Sequence, residues 1–269
     1  MIKLLDRSLP PETQSGLNEL QKQVNKLKKY ERRVEEAKKL FAKRNKARDK
    51  IFKVVRATLE EMCPGVRRCA YCEDSAADEV EHVKPKDFYP EAAFVWENYV
   101  YACGPCNGPK NNQFAAFSRN TGKLVEVTRK AGDLIVPPEP GDPVMIDPRR
   151  EDPLDFMQLD LLGTFHFLPS GRAKSKKHER GDYTIKLLRL NEREFLREAR
   201  QNAYDSFVAR LERYIKRRDS GASPTELNKI IRPLQRMGHQ AVWQEMKRRH
   251  QVITELKTLF NQAPEALGW

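Results

Sequence analysis

Between Cys69 and Cys106 the chain carries two Cys-x-x-Cys pairs, Cys69-Ala70-Tyr71-Cys72 and Cys103-Gly104-Pro105-Cys106. Each pair is a tight turn able to give two thiolates to one tetrahedral ion. Zinc suits such a set, because it favours sulfur and imposes no geometry of its own. A thioredoxin-type redox pair is the competing reading of a single Cys-x-x-Cys, and two pairs in one segment argue for the metal. The remaining cysteine, Cys63, stands near the end of a helical stretch and reads as a small buried residue rather than a ligand. Thirty residues separate Cys72 from Cys103, whereas a plain zinc finger uses roughly fifteen to twenty. The loop therefore holds material that a structural zinc does not require.

That material has an order: Glu81-His82, then Trp96-Glu97-Asn98, then Asn107 directly after Cys106, and Lys110. His82 is the only histidine between Met1 and Thr164. Four sulfurs complete a zinc shell without it, which leaves His82 either free for chemistry or a surface or packing residue. The ordered set resembles the HNH endonuclease family, whose fold is two strands and a helix around one catalytic metal, often braced by a zinc held in two Cys-x-x-Cys pairs. The resemblance covers about fifty residues, Arg68 to Phe117. More narrowly, RRCAYCE, VEHVKPK, WENYVYAC and CNGPKNNQF are similar to the PtuB-like HNH component of the Septu and retron-associated anti-phage systems. That similarity implies an ATPase protein partner; DNA is the expected substrate, and the sequence leaves RNA open as the target.

Hydrolysis of a phosphodiester needs a base to deprotonate water, a cation to neutralise the phosphate, and positioning for in-line attack. His82 suits the base, since a neutral imidazole near pH 7 takes a proton without a large pKa shift. Glu81 and Asn107 offer hard oxygen ligands appropriate to Mg²⁺ or Mn²⁺. Asn107 is tied to the zinc turn by following Cys106, so the structural metal would fix the catalytic one indirectly. Lys110 falls one turn after Asn107 if a helix starts there, where its ammonium could meet a phosphate or simply stand in solvent. By match to the family's middle position, Asn98 would orient the loop carrying His82; a plain turn-forming asparagine is the alternative. Glu79 would share a strand face with Glu81 as a supporting acid, and Trp96, Tyr99 and Tyr101 read as core. The acid before the histidine is most often Asp in the family, and Glu81 adds a methylene that bears on metal geometry and choice.

These residues need elements to hold them. Residues 14–62 contain no proline and repeat apolar residues at spacings of three and four, which predicts one long helix or two in series. This basic arm, residues 1–62, would precede a zinc-braced core over 63–127, a proline-rich connector with short strands over 128–190, and a helical region over 191–269. Gly122 to Val127 reads as a strand, and the two apolar stretches of MQLDLLGTFHFLPSG, broken at Gly163, read as a hairpin followed by a polar basic loop. Asn191 with Glu194, and Ser223 with Glu226 and Pro224, have the spacing of helix-capping boxes. Helices are expected over about Glu192 to Arg218, Pro224 to Met237 and His239 to Leu259. The fold class is α+β, a small ββα-metal core flanked by helical segments.

Charge is distributed unevenly. Residues 14–62 hold fifteen Lys and Arg against seven Asp and Glu, residues 191–269 fifteen against ten, and residues 69–120 only four against eight. Basic flanks around an acidic centre suit a polyanion gripped by the arms while the centre handles a cation, although a solvated surface, or a helix docked on the protein or a partner, gives similar totals. No run of about eighteen apolar residues suggests a membrane span, and the opening residues lack the apolar centre of a signal peptide. The expected setting is cytoplasmic. The expected activity is metal-dependent DNA cleavage, with a structural Zn²⁺ and a catalytic Mg²⁺ or Mn²⁺. The rivals are a zinc-ribbon binding module without chemistry and a subunit whose nuclease a partner keeps silent. The chain has no phosphate loop of its own, and oligomeric state is not set by the sequence.

Overall fold

In the computed structural model, which describes residues 1–63 and 65–269, the proline-free stretch forms three helices rather than one or two. These are α1 (Pro11–Asn25), α2 (Tyr30–Arg44) and α3 (Lys50–Glu61). The break before α3 is chemical: the Asp49 side chain accepts from the amides of Ile51 and Phe52 and caps the new helix. Gly16 of α1 lies where a Cβ would come 2.5 Å from Ile51 Cδ1, so the missing side chain lets α1 and α3 approach closely.

After the first cysteine pair the chain enters β1 (Glu79–His82), which pairs antiparallel with β2 (Tyr99–Ala102), setting Glu81 opposite Val100 and His82 opposite Tyr99. The short α4 (Gly104–Lys110) follows at once and packs on β1. A three-stranded sheet in the order β4-β3-β5 comes next, from β3 (Phe114–Ser118), β4 (Leu124–Val127) and β5 (Gly141–Pro143). Strands β6 (Met157–Leu159) and β7 (Phe167–Pro169) form the expected hairpin. Its turn is closed by Asp160, whose carboxylate accepts from the amides of Leu162 and Thr164.

The connector also contains α5 (Lys176–Leu187), where the sequence reading places only a basic loop and short strands. Ser175 caps it by accepting from the His178 amide, and Gly181 turns a side-chain-free face to the backbone of Phe156, just before β6, and of Pro169 in β7. The C-terminal region holds α6 (Glu194–Asp219), α7 (Pro224–Gln235), α8 (Gln240–Arg249) and α9 (Thr254–Gln262). The third expected helix is thus two. Ser223, Glu226 and Pro224 make the capping box foreseen for α7. Asn191 does not cap α6: its amide exchanges two hydrogen bonds with the backbone of Phe167 and ties the helix entrance to β7.

Most buried apolar residues, from Met1 to Ala266, form one contiguous cluster drawing on the N-terminal helices, the cysteine segment, the hairpin and the C-terminal helices alike, and a small second cluster of Ala115, Phe117 and Val144 lies at the three-stranded sheet. The N-terminal helices therefore bury one stripe on the rest of the protein and keep their Lys and Arg out of the core, whereas Arg200 of α6 is itself buried and donates to the carbonyls of Phe165 and Leu190. Among the described residues, no helix is long and apolar enough to cross a membrane.

Candidate active site

The loop after α3 carries Cys69 and Cys72, while Cys103 caps α4 and Cys106 lies in its first turn. The four Sγ atoms lie within 4.8 Å of one another, with Cys72 and Cys103 3.8 Å apart. Thiolates about 2.3 Å from a tetrahedral zinc would stand roughly 3.8 Å from each other, so these four could hold a zinc ion. All are buried, and none is in a disulfide. The Tyr71 amide donates to Cys69 Sγ, and Arg193 Nη2 lies 3.3 Å from Cys106 Sγ while also donating to the Leu188 carbonyl. Four thiolates around a divalent ion carry excess negative charge, which gives this guanidinium its electrostatic reason. Cys63 stands apart, buried with its sulfur 3.0 Å from the Arg68 carbonyl, and burial pushes its thiol pKa up.

His82, at the end of β1, is buried between Phe41 of α2 and Tyr99 of β2, with ring centroids at 4.4 Å and 5.1 Å. Its Nε2 lies 2.9 Å from the Ala93 carbonyl oxygen, which also accepts from the Tyr99 hydroxyl. A carbonyl can only accept, so Nε2 carries the ring proton and Nδ1 keeps the lone pair. Burial, reinforced by Lys86, pushes the imidazole pKa down to about 3, which corrects the expectation of an unshifted base: the ring is neutral near pH 7 but accepts a proton less readily than a free imidazole. The Ala93 carbonyl is itself held in place: Gln21 of α1 accepts from the Phe94 amide and donates to the Pro90 carbonyl.

Glu81 and Lys110 meet below the surface. Lys110 is fully buried, its Nζ 2.5 Å from Glu81 Oε1 and 2.7 Å from the His82 carbonyl, so it neither stands in solvent nor reaches outward toward a phosphate. Burial raises the Glu81 pKa, and the Lys110 charge opposes that rise. Asn107 donates through Nδ2 to Glu79 Oε2, joining α4 to β1 a second time. Glu79, Glu81 and Asn107 thus bring hard oxygen donors into one small region.

Asn98, in the short turn before β2, accepts from the Lys84 amide and donates to the carbonyls of Lys84 and Ala92. Both ends of the loop that follows His82 are fastened through this one amide. Sequence reasoning missed Arg149, which lies over the Trp96 ring, donates to the carbonyls of Trp96 and Tyr99, and pairs with Asp6. Trp96, Tyr99 and Tyr101 are core, as their types suggest.

Glu79, Glu81, His82 and Asn107 line a single cleft of about 370 Å³, from which Asn98 and Lys110 are absent. Its other wall is built by the N-terminal helices: Phe41 of α2, Asn45 after it, and Arg56 of α3. In the sequence Phe41 shows only as part of the apolar helix stripe, and no motif or spacing marks Asn45 or Arg56, because a contact made across a fold leaves no periodic trace in the chain.

No family model and no solved structure matches the chain. The chain spans about a fifth of the length of the curated relative it matches, Septu protein PtuB of Bacillus thuringiensis: it is 44% identical over 48 residues, 16% of this chain and 19% of the other. Over that short segment it is similar to a Septu protein.

Proposed function

We propose that the chain is an HNH-type, metal-dependent endonuclease that hydrolyses DNA phosphodiester bonds as the nuclease of an anti-phage system with an ATPase partner. One observation carries the chemistry: a buried, neutral histidine whose Nε2 proton is engaged by the Ala93 carbonyl lies in the same cleft as Glu79, Glu81 and Asn107. That arrangement leaves Nδ1 to take a proton from water. The oxygen donors of Glu81, Asn107 and Glu79 would hold Mg²⁺ or Mn²⁺, which when bound neutralises the phosphate and steadies the leaving oxygen. Asn98 orients the loop beside His82, Lys110 fixes β1 against α4, and the zinc-type cysteines brace the helix that presents Asn107. The defence role and the partner rest on the short similarity to a Septu protein and on the HNH resemblance.

Incubation of the purified protein with plasmid and Mg²⁺ or Mn²⁺ tests the reading. Nicking by the wild type, lost in His82→Ala with zinc content and DNA binding retained, is the expected result. A wild type that cuts nothing with any divalent ion, alone or with its partner, overturns the enzyme. Unchanged biological activity in His82→Ala would instead make the chain a zinc-braced binding module.

A further inference from the structure

We infer that Arg56, on the third N-terminal helix, grips a phosphate of the substrate, so that the basic helices supply one wall of the active site rather than an arm beside it. The inference rests on the nuclease reading above and names a substrate contact that the HNH-like segment does not contain. Arg56 lines the cleft together with Glu79, Glu81 and His82. Its guanidinium is fixed by neutral groups: Nη1 donates to the carbonyls of Lys46 and Phe52, both at 3.2 Å, and Nη2 to Asn45 Oδ1.

Two consequences follow from that set of partners. Among the described residues no carboxylate pairs with Arg56, so its charge is not cancelled within the fold. The donor count also leaves Nε–H and one N–H of Nη2 unspent, and two N–H groups on one rigid fork match two oxygens of a phosphate. The other cation of the cleft, Lys86, lies 5.4 Å over the Phe41 ring and 3.8 Å from the Asp87 carboxylate, so it is already partly engaged.

A phosphodiester approaching this cleft meets the carboxylates of Asp78 and Glu79, while the charge of Glu81 is offset by its pairing with Lys110. Arg56 is the charge that can hold the strand while those acids serve a cation. Anchoring by three acceptors means the side chain is ordered before substrate arrives, which lowers the entropy lost on binding.

The test separates binding from cutting. In a His82→Ala background, binding of a short oligonucleotide is measured for Arg56, Arg56→Gln and Arg56→Lys, with each phosphate replaced in turn by an uncharged methylphosphonate. Cutting by the same Arg56 variants is measured with His82 intact. Loss of one charge-assisted contact weakens binding roughly 10- to 100-fold, and Arg56→Lys should recover only part of it. At one position the methylphosphonate should weaken the protein with Arg56 and leave Arg56→Gln unaffected. Equal binding by Arg56 and Arg56→Gln, or equal sensitivity of the two at every position, overturns the inference. Should Arg56→Gln misfold, as judged by zinc content and melting, Asn45→Ala removes one anchor and keeps the charge; a smaller loss at the same phosphate supports the inference, and no loss overturns it. A wild type that binds through Arg56 and never cuts sinks the nuclease and leaves the phosphate contact standing. One that cuts equally well with Arg56→Gln does the reverse.

Discussion

Lys110 and Glu81 form an ion pair inside the protein, 2.5 Å apart, with the lysine wholly buried and its ammonium also donating to the carbonyl of His82. One side chain from α4 therefore clamps both the acid and the backbone that carries the candidate base. Breaking such a pair leaves a charge with no partner and no water, whereas replacing both members removes that penalty. Lys110→Met should cost about 3–5 kcal/mol of stability. The double change Glu81→Leu with Lys110→Met should recover much of it while losing all activity. Urea denaturation of the zinc-loaded proteins checks this; additive losses would show that the two residues do not interact.

Arg193 lies against the sulfur cluster through Cys106 and against the Leu188 carbonyl. Groups that hydrogen-bond a metal ligand tune affinity without binding the ion, typically by about 10–100-fold. Arg193→Ala should lower zinc affinity by that order, read by competition with a chromophoric chelator. Cys106→Ser should fail to retain stoichiometric zinc, and its melting temperature should no longer respond to added chelator.

Two glycines distinguish a forgiving contact from an unforgiving one. A Cβ at Gly181 would lie 2.3 Å from the Phe156 carbonyl oxygen and 3.2 Å from Pro169 Cα, both backbone atoms that cannot rotate away. Gly181→Ala should destabilise by about 1–3 kcal/mol. At Gly16 the nearest atom is Ile51 Cδ1, the end of a side chain with other rotamers, and alanine gains about 1 kcal/mol of helix propensity there. Gly16→Ala should stay close to wild type in thermal melting.

The pattern of what was legible follows from range along the chain. The cysteine pairs, Glu81-His82 and the Ser223 capping box act through residues a few positions apart, and their spacing survives in sequence. The breaks between α1, α2 and α3 were hidden because no proline marks them and the apolar period runs through. Helix α5 was hidden because Lys174, Lys176 and Lys177 read as a polar basic loop, while the Ser175 cap that starts it is a single residue. Lys110 carries the plainest lesson: its place one turn after Asn107 was readable, but whether it turned outward or inward depended on Glu81, across the fold. Arg56 and Asn45 join the cleft only through packing of α2 and α3 on β2 and the loop after His82, and nothing local announces it.

Asn98 supplies the sharpest test of how the loop is held. Its amide makes three hydrogen bonds, accepting from Lys84 N and donating to the carbonyls of Lys84 and Ala92. Ala92 immediately precedes Ala93, whose carbonyl fixes the His82 ring, so loosening Asn98 frees the group that sets the imidazole's tautomer. Asn98→Ala strands the Lys84 amide and carbonyl in a part-buried place and leaves the Ala92 carbonyl only its bond from the Val95 amide, and leaving a buried polar group unpaired costs about 1–3 kcal/mol. Asn98→Asp is the more telling change, since it keeps an acceptor for Lys84 N and sets a carboxylate against two carbonyls. Both variants should retain zinc and bind DNA near the wild-type level while turnover falls, because the loss is of orientation and not of substrate contact. A fall in DNA affinity with turnover preserved would instead place Asn98 at the substrate.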